Sequence, residues 1–292
     1  MTTPYNNNIV PVWRKFLLLA IVFVGGLFLT SIVLQGLQGM PLKPQQVIAV
    51  ALQNVLVFLA PACVVAFMYY HPSTKWLKID RCPSWAGIAV VVAMALVSLP
   101  AMNYIVYLNE HMALPAWLSG VEQWMRETED AARQTTDFLL GSSSVGMLLV
   151  IVLVVGLLTG LCEEFFFRGG ILNIMLDSRL GRHAAVWIAA LVFSALHMQF
   201  FGFVPRLLLG AWFGYLFVWS RSLWLPVIAH ALNNTIVVVA TYLTRNSLID
   251  TNYAETIGCP EAGNFPMEAV VSAVLTIALV FVAKRVLTHR TR

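Results

Sequence analysis

Charged residues are scarce in this sequence. Asp, Glu, Lys and Arg make up 11% of its 292 residues, against 59% apolar residues. Soluble domains carry roughly 25% charged residues. A soluble fold of this composition would have to cover its surface with apolar side chains, and such a surface aggregates. The composition therefore excludes a soluble enzyme and predicts a protein whose solvent is lipid.

Signals of several other protein classes are also missing. The formal net charge is +4, but the basic residues form no dense patch, so no nucleic-acid partner is expected. The sequence contains no CxxC pair, no HExxH segment and no internal repeat. It therefore predicts neither a disulfide framework nor the commonest zinc-protease helix. The four cysteines stand singly, at Cys63, Cys82, Cys162 and Cys259.

Long apolar runs fill most of the chain, and about 20 such residues let a helix cross a bilayer. They predict an all-α, polytopic membrane bundle of about eight transmembrane helices. The first run is too long for a signal-peptide core, so we expect it to be retained. The predicted spans are Phe16–Leu37, Gln46–Tyr70, Ala86–Leu108, Val145–Phe167, Ala184–Met198, Val204–Trp219, Leu223–Leu243 and Ala269–Val286.

The basic residues predict the orientation of the bundle. Most of the 18 Lys and Arg residues lie near the chain termini and on alternate connections, which puts both termini in the cytoplasm. We expect an integral membrane protein, in the cytoplasmic (inner) membrane if the host is bacterial. Residues 1–292 form one membrane domain: N-terminal helices and an outer interfacial loop (16–144), helices with the candidate catalytic residues (145–243), and an outer loop and last helix (244–292).

Apolar residues at helical spacing between residues 117 and 130 predict a further helix, on the outer membrane interface or in a solvated loop.

Most predicted spans contain no charged residue, and the exceptions are concentrated in the second half of the chain. Charges inside a span cost several kcal/mol or more, so they are candidates for function. These residues are Glu163, Glu164 and Arg168 at the end of the fourth span, His197 in the fifth, and His230 and Asn234 in the seventh.

Helix geometry groups these side chains. Glu164 and Arg168 are four residues apart, so they share a helix face and can pair. Glu163 projects about 100° away from Glu164 and stays free to face a cavity. His230 and Asn234 also share a face. With the histidine of the fifth span, three helices could direct polar groups to one point.

Each signal has an ordinary explanation when it is taken alone. A single histidine within a membrane more often makes hydrogen bonds between helices than it catalyses a reaction. A Glu–Arg pair near a helix end can simply anchor that helix at the interface. The occurrence of all the polar groups together, among otherwise apolar spans, favours a functional site.

The segments EExxxR, FxxxH and HxxxN, in this order, resemble the motifs of the CPBP (Abi) family of intramembrane proteases, which includes the type II CAAX prenyl endopeptidases. The resemblance covers roughly residues 160–234 and implies an endopeptidase that cleaves peptide bonds within the membrane. The matching residues are Glu163, Glu164 and Arg168, then Phe193 and His197, then His230 and Asn234.

The resemblance also implies roles for these residues. Glu163 would act as the general base, and His197 would help to hold the attacking water. His230 and Asn234 would stabilise the oxyanion of the tetrahedral intermediate. The Glu164–Arg168 pair would support these residues without contacting the substrate.

A metal-dependent version of this chemistry uses the same side chains. Glu163, His197 and His230 could supply three ligands to zinc and leave a fourth position for water. Zinc is therefore the one cofactor to test. The missing HExxH helix slightly favours catalysis by glutamate without metal.

Two other functions stay open at this stage. A transporter or channel could use the buried glutamate and histidine residues to carry protons or cations. A non-catalytic scaffold or immunity factor could keep the fold alone. The partners expected for an endopeptidase are the bilayer and a peptide, a lipidated protein or a membrane-protein substrate, while the oligomeric state cannot be inferred.

Overall fold

A computed structural model describes residues 10–249, 256–260 and 265–289. Within these residues every regular element is helical, as the composition predicts. Much of the connection Arg245–Glu268, predicted to lie outside the membrane, falls beyond the described residues, as do the basic residues at 290 and 292.

The helices follow one another with short connections. They are α1 (Val12–Gly36), α2 (Leu42–Tyr69), α3 (Ser73–Leu77), α4 (Trp85–Val97), α5 (Leu99–Glu110), α6 (Ser119–Leu140), α7 (Val145–Leu176), α8 (Arg182–Leu196), α9 (Phe203–Ser220), α10 (Trp224–Arg245) and α11 (Met267–His289).

Six of the described helices are long and apolar enough to cross a membrane: α1, α2, α7, α9, α10 and α11. The pair α4 and α5 makes a seventh candidate, bent by 50°, where Pro100 enters the first turn of α5. Helix α8 is apolar but shorter. These segments coincide with the eight predicted runs, so the polytopic helical bundle is confirmed, while the number of full crossings stays a prediction.

Helix α7 is longer than its apolar run predicts, because it continues beyond Phe167 to Leu176. The prediction ended the span at the charge of Arg168. That charge is paired within the helix, since the guanidinium donates to Glu164 at 2.7 Å, so it does not end the span. The backbone widens into π-helical turns at Val152–Leu158 and at Phe165–Leu172, and such turns often occur at functional sites.

The core of the bundle surrounds the second half of α7. All residues from 162 to 174 are buried, and the rings of Phe166 and Phe167 meet at 5.1 Å in an edge-to-face arrangement. Both pack against Phe58 of α2. Phe167 also contacts Phe193 of α8 at 5.0 Å. These rings fix the position of the helix that carries the two glutamates.

The predicted helix in the long connection is present as α6. It meets the start of α9 at one end of the bundle, which we call the loop face. There Glu129 of α6 accepts a hydrogen bond from the amide of Phe201 at 3.2 Å, and Asp137 pairs with Arg245 at 2.8 Å. Trp117 and Trp124 on this segment keep 79% and 48% of their surface exposed. Amphipathic helices of this kind lie along a membrane interface.

Candidate active site

Helices α7 and α10 touch at Gly160, one helical turn before Glu163 and Glu164. A Cβ atom on Gly160 would lie 2.7 Å from the backbone nitrogen of Ala231, closer than real contacts allow. Gly156 similarly faces Thr235. The absence of side chains at these two positions lets the helix axes approach. This approach brings Glu163 and His230 into the same layer of the bundle.

Glu164, Arg168 and His230 form a buried network around one carboxylate oxygen. Oε1 of Glu164 accepts from Nη1 of Arg168 at 2.7 Å and lies 2.8 Å from Nδ1 of His230. The three residues are 0%, 1% and 5% exposed. Because a carboxylate accepts, we assign the proton to Nδ1 of the histidine, which leaves Nε2 to face the site.

Arg168 is held from several directions. Its Nη2 donates to the carbonyl oxygen of Gly210 on α9 at 2.6 Å. The guanidinium carbon lies 4.9 Å from the ring centre of Phe193 and 5.4 Å from that of Phe213. Phe213 also stacks on the ring of His230, with centres 5.0 Å apart. The arginine therefore joins α7, α8 and α9 around the histidine of α10.

Glu163 lies beside this network without joining it. The residue is 7% exposed, and its Oε2 lies 3.9 Å from Nε2 of His230, which is too long for a hydrogen bond. Among the described residues this buried oxygen has no hydrogen-bond partner. A buried polar atom without a partner is costly and calls for an explanation. One explanation is that this oxygen accepts a proton during a reaction.

His197 lies at the end of α8, on the other side of a phenylalanine ring. Its Nδ1 is 2.8 Å from the carbonyl oxygen of Phe193, so Nδ1 donates and Nε2 is left free. The ring of Phe193 contacts both histidines, at 4.9 Å for His197 and 5.8 Å for His230. The two histidines thus flank one aromatic ring.

Asn234 lies one turn beyond His230 on α10. Its Nδ2 donates to the carbonyl oxygen of Val155 at 3.3 Å, within the π-helical turns of α7. Oδ1 of Asn234 accepts from the neighbouring Asn233 at 3.4 Å. The amide is therefore oriented by α7, on the helix face that also carries His230.

The spacing argument anticipated much of this arrangement. The predicted Glu164–Arg168 pair is present, and Glu163 is the carboxylate left outside it. Arg206 of α9 is not among the predicted site residues. Its guanidinium donates to Gln199, two residues beyond His197. The position of Arg206 four residues before Gly210, on the helix that contacts Arg168, is the signal that could have pointed to it.

Zinc is the cofactor that the site residues could bind, so their arrangement can be compared with the ligands that the ion requires. Zinc binds nitrogen and carboxylate oxygen ligands at about 2.0–2.2 Å, usually with at least three from the protein. Within the described parts of the chain, no three His, Cys, Asp or Glu side chains lie close enough together to hold a metal ion. As arranged, Glu163, His197 and His230 do not form that ligand set.

Comparison with known families matches residues 145–236 to the model described as type II CAAX prenyl endopeptidase Rce1-like. The matched region begins with α7 and ends within α10. It contains all six predicted site residues and covers about a third of the chain. Searches of curated proteins and of solved structures gave no match.

The match agrees with the resemblance that the three motifs carry, and it implies proteolysis of the CAAX-protease type, with a peptide or protein substrate in a membrane. The chain is therefore an integral membrane protein whose residues 145–236 are Rce1-like, which supports its recognition as a CPBP-family intramembrane protease.

Proposed function

We propose that this protein is an intramembrane endopeptidase that hydrolyses a peptide bond with a water molecule activated by Glu163 and histidine. The observation that carries the proposal is the unpartnered Oε2 of Glu163, buried 3.9 Å from Nε2 of His230. A general base must have a free lone pair within reach of the water that it deprotonates. Oε2 of the neighbouring Glu164 is likewise without a partner among the described residues, but that side chain is fully buried and its Oε1 is bound by Arg168 and His230.

In the proposed reaction, Glu163 takes a proton from water while the water oxygen attacks the peptide carbonyl carbon. His197 offers its free Nε2 to orient that water. The oxyanion that forms accepts hydrogen bonds from the amide of Asn234 and from Nε2 of His230, which donates when the imidazole carries a proton on both ring nitrogens.

The tetrahedral intermediate then collapses. The C–N bond breaks, and Glu163 returns its proton to the leaving amine. The products are a carboxylic acid and an amine, so one water is consumed and the enzyme is unchanged.

Glu164 and Arg168 act through His230 in this scheme. The carboxylate accepts from Nδ1, which fixes the orientation of the imidazole with Nε2 towards the substrate. Arg168 compensates the buried negative charge of Glu164. Neither side chain needs to touch the substrate.

The substrate is a peptide segment within or at the membrane, from a peptide, a lipidated protein or a membrane protein. The name of the matched family points to prenylated CAAX proteins. A farnesylated peptide ending in Cys-Val-Ile-Met is therefore the first defined probe, and peptides extracted from host membranes are the unbiased one.

The test uses purified protein in proteoliposomes, with cleavage read as new peptide termini by mass spectrometry. We expect cleavage by the wild type, and a loss of roughly 100-fold or more in Glu163→Gln and His197→Ala. The control Glu110→Gln alters a half-exposed surface pair with Arg133 and should leave cleavage unchanged.

Cleavage that survives both site substitutions would reject the proposal. Ion or proton flux across the same vesicles, lost in Glu163→Gln, would favour a transporter. Zinc measured at one ion per chain, with activity lost on chelation, would replace the metal-free mechanism.

A further inference from the structure

A second arginine lies beside the proposed catalytic residues, on the side of the loop face. Arg206 is in the first turns of α9, and its guanidinium donates to the backbone carbonyl of Gln199 at 3.3 Å and to the side-chain Oε1 of Gln199 at 2.7 Å. Gln199 is two residues beyond His197, and Arg206 is one helical turn before Gly210, whose carbonyl oxygen binds Arg168. The arginine therefore stands at the border between the buried site and the loop face.

The backbone is shaped to receive this guanidinium. A Cβ atom on Gly202 would lie 2.9 Å from Nη2 of Arg206 and 3.4 Å from its central carbon. A larger residue at position 202 would push the guanidinium away from Gln199. The glycine and the glutamine together form a cradle that holds the arginine in one place.

The loop that forms this cradle is held in place by side-chain hydrogen bonds. The hydroxyl of Ser194 donates to the carbonyl oxygen of Phe203 at 2.7 Å. The buried side chain of Asn109 bridges the carbonyl oxygen of Phe200 and the amide of Val204, at 3.2 and 2.9 Å. The guanidinium therefore rests on a loop tied to both α5 and α8.

Local structure does not account for a positive charge at this position. A cation in the first turns of a helix opposes the helix dipole, which favours anions there. Within the described part of the chain, Arg206 forms no ion pair with an acidic side chain, and its hydrogen bonds go to Gln199. Glu129 of α6, at the same loop, accepts from the amide of Phe201. The other N–H donors of the guanidinium are left for a further partner.

We propose that Arg206 binds a carboxylate of the peptide substrate next to the bond that Glu163 hydrolyses. The proposal rests on the endopeptidase function and adds the substrate's charge to it. A guanidinium that is fixed by a cradle and keeps free N–H donors suits bidentate binding of a carboxylate. Its hydrogen bonds to Gln199, two residues beyond His197, put that carboxylate beside the proposed catalytic residues. The carboxylate can be the C-terminus of the substrate or an Asp or Glu side chain.

The test measures binding to the Glu163→Gln protein in nanodiscs, with retained peptides counted by mass spectrometry. Three randomised peptide pools serve as probes. The first has free C-termini and no Asp or Glu, the second has amidated C-termini and no Asp or Glu, and the third has amidated C-termini and one Asp or Glu. Preference for the first pool over the second identifies the C-terminal carboxylate, and preference for the third identifies a side chain.

We expect a carboxylate-bearing pool to be retained roughly 10- to 100-fold better than the second pool. Adding Arg206→Gln should remove this preference, Gly202→Ala should weaken it, and Arg206→Lys should restore part of it. Arg133→Gln, on the exposed surface, is the control and should keep it. A structural role alone would lower the retention of all three pools equally.

Equal retention of the three pools by the Glu163→Gln protein would overturn the proposal. A preference that survives both Arg206→Gln and Gly202→Ala would do the same. Cleavage by the wild type is measured separately on the same pools. If the wild type cleaves all three pools equally well, the carboxylate site is refuted and the endopeptidase function is retained. If the Glu163→Gln protein prefers a carboxylate-bearing pool but the wild type cleaves none, the endopeptidase function is refuted and the carboxylate site is retained.

Discussion

The two arginines of the site stand in contrasting surroundings. Arg168 is 1% exposed and is bound to Glu164, to Gly210 and to aromatic rings. Arg206 is only partly buried and is bound to a single residue, Gln199. We call Glu164, Arg168 and His230 the closed half of the site. Glu163, His197 and Arg206 are its open half.

The two halves differ in whether their residues mainly stabilise the fold or mainly take part in the proposed reaction. In the closed half Arg168 and His230 share Oε1 of Glu164, so removal of one leaves a charge uncompensated, although Oε2 of Glu164 has no partner among the described residues. In the open half the unpartnered oxygen of Glu163 and the free donors of Arg206 await groups from outside the protein. Substitutions in the closed half should therefore reduce stability, while those in the open half should reduce activity with little effect on stability.

The largest stability effect is expected from Arg168→Met. Loss of the guanidinium leaves the buried carboxylate of Glu164 without its cation, and breaking a buried pair costs about 3–5 kcal/mol. Thermal unfolding in detergent, followed by tryptophan fluorescence, should show a large fall in Tm. Arg133→Met removes an exposed partner of Glu110 and should change stability by less than about 0.5 kcal/mol. Equal effects of the two substitutions would contradict a closed half.

A smaller effect is expected from Gly160→Ala. The new Cβ meets the backbone of α10 at Ala231, and forcing an extra carbon into packed helices costs about 1–3 kcal/mol. The shift should also separate Glu163 from His230, so activity should fall with Tm. The matched control is Gly25→Ala on α1, where a Cβ meets nothing within 4 Å. A Gly160→Ala protein with the stability and activity of the control would refute the close approach.

The open half should respond locally to Asn109→Ala. The substitution removes two hydrogen bonds to the loop before α9, which should cost about 1–2 kcal/mol. Hydrogen exchange of residues 200–206 should become roughly tenfold faster, while the amides of α7 keep their protection. Faster exchange throughout the bundle would show that the loop is not an independent unit.

A separate, pH-dependent effect is expected at Lys78, at the opposite end of the bundle from the loop face. Its ammonium lies 3.8 Å from the ring centre of Phe217, and burial lowers the pKa of Lys78 to about 8 from 10.5. Between pH 8 and 10.5 the unfolded chain keeps a proton that the folded chain has lost. Stability contributed by this group should therefore rise with pH across that range.

Unfolding measured from pH 7 to 10 checks this sign. Lys78→Gln should flatten the rise that this residue contributes. A rise of the same size in the variant would mean that the end of the bundle at Lys78 is open to water.

The sequence predicted the helices and the Glu164–Arg168 pair, for physical reasons. Hydrophobic length defines a span, and a spacing of four residues defines the pair. Both depend on one helix at a time. The hydrogen bond from His230 to Glu164 joins two helices and was not predicted. The prediction ended α7 too early because the apolar run stops at Phe167, although the charge of Arg168 is neutralised within the helix.

The relations between helices could not be predicted in the same way. The depth of His197 relative to His230 depends on where α8 ends and on the Phe193 ring between the two histidines. The importance of Gly160 depends on which residue of α10 lies opposite. Arg206 could not be singled out from the sequence, because only the folded loop shows the cradle that holds it.

The most direct test of the central claim compares Glu163→Gln with Glu164→Gln in the same proteoliposomes, with peptide cleavage and Tm measured on each. We predict that Glu163→Gln keeps the Tm of the wild type within the error of the measurement and loses cleavage. Glu164→Gln should lower Tm markedly, because it removes the buried charge that Arg168 and His230 share. Cleavage that persists in Glu163→Gln, or equal losses of Tm in the two variants, would contradict the division of the site into a structural and a chemical half.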